Sequence, residues 1–438
     1  QGGEALFLRN VREILIHLGP FVVLAGRGVF GRRHGKGPHM PPPDATEAAG
    51  RHSCWSSRQK IKIDDMKGDY LANDLVRELR IIDLTELERE AARVIGKGAM
   101  GYIRGGAGDE WTMRRNTACF DERPILPRVL ASLAKPDTKC RILGIDLPFP
   151  IIMAPVAAQG LAHVSAEAGT ARGTAEAGTI MCVSTYAGMT LEEIALAGNG
   201  APQWFQFYPS KDAGFNRHLL DQALAGGYRA VVLTADATVG GNREADLRNR
   251  FVFPLKMANL EQYGSGQGRS IEQIYADAMQ QIGPAEVERI AAYTRLPVIV
   301  KGIQAPEDAL RAIDAGAAGV QVSNHGGRQL DGGPGSFEAL PAVARAVNGR
   351  VPVIFDSGIR RGQHIFKALA SGADVVAIGR PAIYGLALGG WMGVRSVFEF
   401  FRHELEMVMQ LAGTPDIEAV KKTRLFDPRA DAQAGDPA

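Results

Sequence analysis

The chain has little cysteine. Cys54, Cys119, Cys140 and Cys182 are the only four in 438 residues, with no CxxC pair and no metal-ligand spacing. That pattern excludes a disulfide framework and offers no zinc site. It fits a reducing compartment, so cytoplasmic residence is the expectation. An excess of one charge is also missing: 50 basic against 48 acidic residues leave a net +2. Nothing in that balance argues for nucleic acid as a partner. Long apolar runs are absent too. Residues 14–25 (ILIHLGPFVVLA) are too short to span a bilayer and are interrupted by His17 and Pro20. Arg9 and Arg12 precede them, but no small-residue cleavage site follows, so an export signal is not expected. The chain opens on Gln1, and residues 27–60 run through Gly, Pro, Arg, His and Ser without a hydrophobic period. Residues 1–65 are therefore expected to be a disordered or misassigned extension, residues 66–427 the working domain, and residues 428–438 a disordered tail.

What the chain has is glycine and rhythm. Many of its 52 glycines fall at the ends of short apolar runs, where loops turn tightly or approach a ligand. Leu84, Leu87, Ala91 and Ile95 share one face of a helix that Asp83 would cap. Beyond residue 148 short apolar strands alternate with helix-period segments. The strands read are 150–153, 179–184, 203–208, 230–236, 297–301, 319–324, 352–356 and 374–379. The helices between them include 166–177, 216–225, 286–293, 306–315, 337–347 and 362–371. Strict alternation over eight strands predicts an α/β fold, a (β/α)8 TIM barrel with an N-terminal helical segment. An open doubly wound sheet would carry a phosphate loop after its first strand, and no GxGxxG stands there.

In such a barrel the residues just past each strand line the active site. Those positions hold Ala154-Pro155, Ser184, Gln206, Tyr208, Thr234, Asp236, Lys301, Ser323, His325, Asp356, Ser357, Gly379 and Arg380. Three jobs are legible. The Asp356-Ser357-Gly358-Ile359-Arg360 and Gly379-Arg380 turns close the last two strands, where barrels commonly hold a phosphate. Ser184, Gln206 and Thr234 suit the edge of a polar heterocycle, and Lys301 suits one that gathers negative charge, such as a flavin. A lysine paired with a buried carboxylate is the other reading of Lys301. Finally, Arg243 and Arg328 could clamp a carboxylate, Tyr102 and Tyr208 could hold a hydroxyl, and His325 is a titratable base that Asp236 could orient. An isolated HGGR string would be read as a polar loop. Its place on a rim with all these groups changes that.

The run SNHGGRQ at 323–329 is the signature of the FMN-dependent 2-hydroxy-acid oxidases and dehydrogenases, which the chain resembles over roughly residues 80–427. Within that family it looks most like the L-lactate oxidase branch, on GYIRGGAGDEWTMRRN (101–116), APVAAQGLAH (154–163), LTADATVGGNR (233–243) and FDSGIRRG (355–362). The resemblance implies FMN as cofactor and oxidation of a small L-2-hydroxy acid, L-lactate foremost, to the 2-keto acid with O2 reduced to H2O2. It makes His325 the base, with Asp236 as its partner and Tyr208 beside it in catalysis. Substrate would be bound by Tyr102, Arg243, Arg328, Tyr208 and a lid tyrosine, Tyr275. FMN would lie against Pro155, Val156 and Ala157, with Ser184, Gln206, Thr234, Lys301 and Ser323 around the ring. Asp356, Ser357, Gly358, Arg360, Gly379 and Arg380 would take the ribityl and phosphate groups. No metal and no nucleic acid are implied, and a homotetramer is. A monooxygenase, a dehydrogenase or glycolate-oxidase-type enzyme, and a flavin-binding barrel without catalysis are the alternatives. No haem pattern appears in residues 1–80, and the loop 254–284 reads as polar. The first departs from the flavocytochrome members, which carry a haem domain before the barrel; the second implies an enzyme that hands no electrons to a membrane quinone.

Overall fold

The computed structural model describes residues 72–261 and 276–427. The expectations for 1–65, 428–438 and Tyr275 lie outside the described residues. The helix Leu84–Val94 forms as its pattern requires. Asp83 stands extended at its N-cap and accepts the Glu86 N–H at 2.7 Å, while Leu84, Leu87 and Ala91 turn inward. Ile95, on the same face, is also buried, as the C-cap just past the last turn.

Eight parallel strands then close a barrel. They are β1 (Ile151–Met153), β2 (Met181–Ser184), β3 (Gln203–Phe207), β4 (Val231–Thr234), β5 (Val298–Ile303), β6 (Gly319–Val322), β7 (Val353–Asp356) and β8 (Val375–Ile378), with β8 pairing back onto β1. A principal helix follows each strand: α1 (Ala166–Glu176), α2 (Leu191–Ala197), α3 (Ala213–Ala225), α4 (Pro284–Thr294), α5 (Pro306–Asp314), α6 (Ser336–Val347), α7 (Gly362–Ala370) and α8 (Arg380–Ala412). The barrel prediction holds, with strand ends trimmed by a residue or two where the ladder stops.

Side chains alternate across a strand, and here the alternation builds the site. Ile152, Cys182, Trp204, Val232, Ile299, Ile354 and Val375 belong to one apolar cluster inside the barrel. Ile142 and Leu147, from an antiparallel hairpin (Cys140–Ile142 with Ile145–Leu147), join that cluster. Two residues further along each strand the same inward direction is taken by Ala154, Ser184, Gln206, Thr234, Lys301 and Asp356. The barrel is thus apolar low down and polar at the carboxyl ends of its strands.

Four features differ from the sequence reading. Strand β5 does not stop at Lys301; it runs on to Ile303 through a register shift at Gly302. The hairpin strands are three residues each, too short to show a period. Helix α8 is 33 residues long and breaks its geometry at Gly389 and Gly390. The loop beginning at residue 254, expected to be polar, buries Leu255, Met257 and Leu260 in its described part. Cys119, Cys140 and Cys182 are free thiols, and burial pushes the thiol of each upward. Among the described residues no helix is long and apolar enough to cross a membrane, and no cluster of His, Cys, Asp or Glu could hold a metal ion.

Candidate active site

His325 sits three residues past the end of β6 with φ +58, a left-handed conformation rare for a residue with a side chain. Hydrogen bonds on every side fix it there. The His325 N–H donates to Ser323 Oγ at 3.0 Å, and Ser323 Oγ donates to Asp356 Oδ1 at 2.7 Å. Gln321 holds the other Asp356 oxygen at 2.6 Å, and Gly326 N–H donates to Ser357 Oγ at 3.0 Å. Next along the chain, Asn324 exchanges two amide hydrogen bonds with Asn116, at 2.7 and 2.8 Å. The ring projects from this frame in a single rotation.

That rotation puts Nδ1 of His325 3.0 Å from Asp236 Oδ1 and Nε2 3.2 Å from the Tyr208 hydroxyl. A carboxylate only accepts, so Nδ1 carries the proton and Nε2 is left as the basic atom on the Tyr208 side. The Lys301 ammonium stands 3.4 Å from Nδ1 and 4.0 Å from Asp236 Oδ2. Burial, followed by the Lys301 charge, holds the His325 ring below its ordinary range, against the pull of Asp236. Burial alone would raise Asp236, but Lys301 and His325 more than offset it and the carboxyl stays ionised. Both readings of Lys301 therefore meet: it has its carboxylate, and it also faces the cleft.

Beside this group lie the arginines. Arg243 is buried and stands with its guanidinium carbon 5.9 Å from the centre of the Tyr102 ring, and that of Arg328 stands at 4.9 Å. Arg328 Nη1 donates to the Tyr102 and Gly105 carbonyls at 2.6 and 2.8 Å, which fixes the guanidinium against the helix Lys97–Arg104. Tyr102 itself is wedged against Phe251 and Phe253. On the neighbouring strands Gln206 Nε2 donates to Thr234 Oγ1 at 3.0 Å.

At the ends of β7 and β8 the chain makes two turns that carry Arg360 and Arg380. Gly358 adopts φ +81, and a Cβ there would run into the Asn116 carbonyl, so only glycine lets the turn pass. Arg380 is enclosed, and among the described residues its donors reach the Ile103, Gly326 and Gly105 carbonyls, at 3.1–3.2 Å, and the Met113 sulfur. Burial, then the nearby Arg328 charge, pull Arg380 down to about 9. A cation this costly to keep fits a dianionic phosphate, which would restore its ordinary value. The residues present thus fit a phosphorylated flavin: cations for its phosphate, and Ser184, Gln206, Thr234 and Lys301 lining the same cleft for its ring.

These groups converge on one cleft. Tyr102, Pro155, Val156, Ala157, Ser184, Gln206, Tyr208, Thr234, Arg243, Lys301, His325, Arg328, Asp356, Ser357, Gly358, Arg360, Gly379 and Arg380 all line it. Two expected residues do not. Asp236 stands behind His325, and Ser323 is fully buried with its hydroxyl shared between Asp356 and the His325 N–H. Ser323 thus braces the histidine loop. The sequence reading missed Tyr186, whose ring stacks on Tyr208 at 5.0 Å, and the apolar walls Ile103, Ile359 and Ile383. Tyr186 lies two residues beyond Ser184, the only hint that the strand-end rule extended to it.

A family model described as FMN-dependent dehydrogenase matches residues 91–427. The L-lactate oxidase of Lentilactobacillus hilgardii is 56% identical over 362 residues, covering 82% of this chain and 98% of that protein. A crystal structure of a Pediococcus acidilactici protein described as a lactate oxidase superposes with a TM-score of 0.79 at 56% identity, covering 82% of this chain and 98% of the other. A crystal structure of a mandelate oxidase follows at TM-score 0.74 and 36% identity, covering 79% and 98% of the two chains.

Proposed function

The chain belongs to the FMN-dependent dehydrogenase family, and on that premise we propose that it oxidises a small L-2-hydroxy acid, L-lactate, to pyruvate while O2 becomes H2O2. The observation that carries this reading is the position of His325 Nε2: in the cleft, 3.2 Å from the Tyr208 hydroxyl, with Asp236 behind Nδ1 and two arginines lining the same cavity. The naming of relatives as L-lactate oxidases supports the substrate.

In this reading Arg243 and Arg328 bind the substrate carboxylate, and Tyr102 and Tyr208 orient its hydroxyl. Arg328, already anchored on the 102–105 carbonyls, meets the substrate without losing further rotamer freedom. His325 takes the substrate's proton on Nε2. Asp236 stabilises the resulting imidazolium through Nδ1, so the carboxylate need not itself take up a proton. Lys301 keeps the ring neutral before the reaction and places positive charge beside the polar edge of the cleft. Bound FMN supplies the two-electron acceptor, held by Ser184, Gln206, Thr234 and Lys301 along its ring and by 356–360 and 379–380 at its phosphate. Ala157 faces the substrate side chain, where its methyl limits the space to something the size of lactate. We also propose a homotetramer, which light scattering of the purified protein tests.

The decisive test is stoichiometry. L-Lactate is supplied in air, and oxygen uptake, peroxide and keto acid are measured together. Equal peroxide and pyruvate are expected. Acetate and carbon dioxide would identify a monooxygenase, and cofactor reduction without oxygen uptake a dehydrogenase.

A further inference from the structure

The loop that would hold the phosphate, 357–360, is itself held from behind by a histidine that the reaction does not use. His364 lies in the first turn of α7, buried, with its ring stacked flat on Phe120 at 4.4 Å and an interplanar angle of 4°. Its Nδ1 accepts the backbone N–H of Arg360 at 3.1 Å. The Thr117 hydroxyl reaches the Gly358 carbonyl on the same loop at 3.3 Å. The N-terminus of α7 does not serve the phosphate, because Glu404 already accepts the Gly362 N–H at 2.7 Å and pairs with Arg361 at 3.0 Å. The loop's shape, rather than a helix end, must therefore present the Ser357–Arg360 donors.

We propose that His364 is a positioning residue for cofactor binding: its neutral Nδ1 fixes the Arg360 backbone, and so sets the curvature of the phosphate-binding loop. The chemistry requires a neutral ring, since a second N–H pointed at the Arg360 N–H would repel it. The surroundings supply that neutrality. Burial, then the Lys367 ammonium, with Arg360 and Arg361 adding to it, hold the ring at about 4, against a hydrogen bond to the Gly358 carbonyl. Lys367 is kept in place by donating to the Phe120 carbonyl at 2.8 Å. A cation at a helix N-terminus is also disfavoured by the helix dipole.

This inference rests on the reading of 357–360 as a phosphate site, and the test separates the two. Deflavinated full-length protein is titrated with FMN and with riboflavin, which lacks the phosphate, following quenching of flavin fluorescence. The wild-type protein should prefer FMN. His364→Phe keeps the stack on Phe120 but removes the acceptor, and should lose about 10-fold of FMN affinity, the upper range for one hydrogen bond. Its riboflavin affinity should stay within about 2-fold, because no ring contact changes. His364→Asn, which returns an acceptor oxygen near the position of Nδ1, should recover most of the loss. His364→Leu makes the same deletion should the phenylalanine variant not fold. Full FMN preference retained by the Phe or Leu variant overturns the inference while leaving the phosphate site intact. A wild-type protein that binds FMN and riboflavin equally overturns the phosphate site, and the inference with it.

Discussion

Asp236 and His325, 89 residues apart in the chain, meet at 3.0 Å, oxygen Oδ1 to nitrogen Nδ1. They meet because β5 carries a glycine between them. Gly302 takes φ +106, and a Cβ on it would come within 2.6 Å of the Asp236 Cβ. The pair thus depends on a missing side chain as much as on two present ones.

That dependence gives the first prediction. Gly302→Ala forces both an unfavourable φ and a collision, and should cost about 1–3 kcal/mol of stability, seen as a lower urea midpoint. An unchanged midpoint would show that the strand relaxes freely and that the close approach is not required.

The charge of Asp236 gives a prediction about pH. Activity needs neutral His325, so kcat/KM falls as pH drops through the folded pKa of that ring. Burial and Lys301 set this acid limb below the ordinary 6.5. Asp236→Asn removes the charge that pulls the limb upward, so the limb should move lower still. At the same time the rate at pH 7 should drop by about 10²-fold or more, because the imidazolium loses its counter-ion. A limb that moves up would mean the titrating group is another residue.

Arg243 separates binding from chemistry. Arg243→Lys keeps the charge and loses the planar fork. With a charge-assisted hydrogen bond worth about 1.5–3 kcal/mol, KM for L-lactate should rise about 10-fold or more while FMN content holds. Release of FMN instead would place Arg243 in the cofactor site and displace the substrate pose.

Substrate size turns on Ala157, which lines the cleft beside Pro155 and Val156. Ala157→Gly should raise kcat/KM for longer 2-hydroxy acids relative to lactate by a modest factor, since one methylene is worth about 1–3 kcal/mol in a pocket. An unchanged preference across a substrate series would move the side-chain pocket elsewhere.

Much of this was legible in the sequence for one physical reason. A parallel strand buried on both faces reads as an apolar run, and the residue just past it points into the mouth of the barrel. Ser184, Gln206, Thr234 and Lys301 were found that way. What escaped was set by contacts between distant segments. Tyr186 enters the cleft by stacking on Tyr208, and His364 acts through a backbone N–H on the far side of a loop. Neither contact leaves a period. Ser323 sits at a strand end, and its hydroxyl joins Asp356 to the His325 N–H, a link the strand pattern does not show. The loop from residue 254 looked polar because its buried residues, Leu255, Met257 and Leu260, are spaced irregularly among polar neighbours.

If His325 Nε2 takes the substrate's proton, anaerobic reduction must depend on it. Holoenzyme carrying wild-type His325 or His325→Gln is mixed with L-lactate without oxygen, and the bleaching of the flavin band is followed. Equal FMN content is expected in the two proteins, with reduction slower by about 10²–10⁴-fold in the variant, the span of a general base. Reduction of the variant at close to the wild-type rate would contradict that role and send the proton to another group.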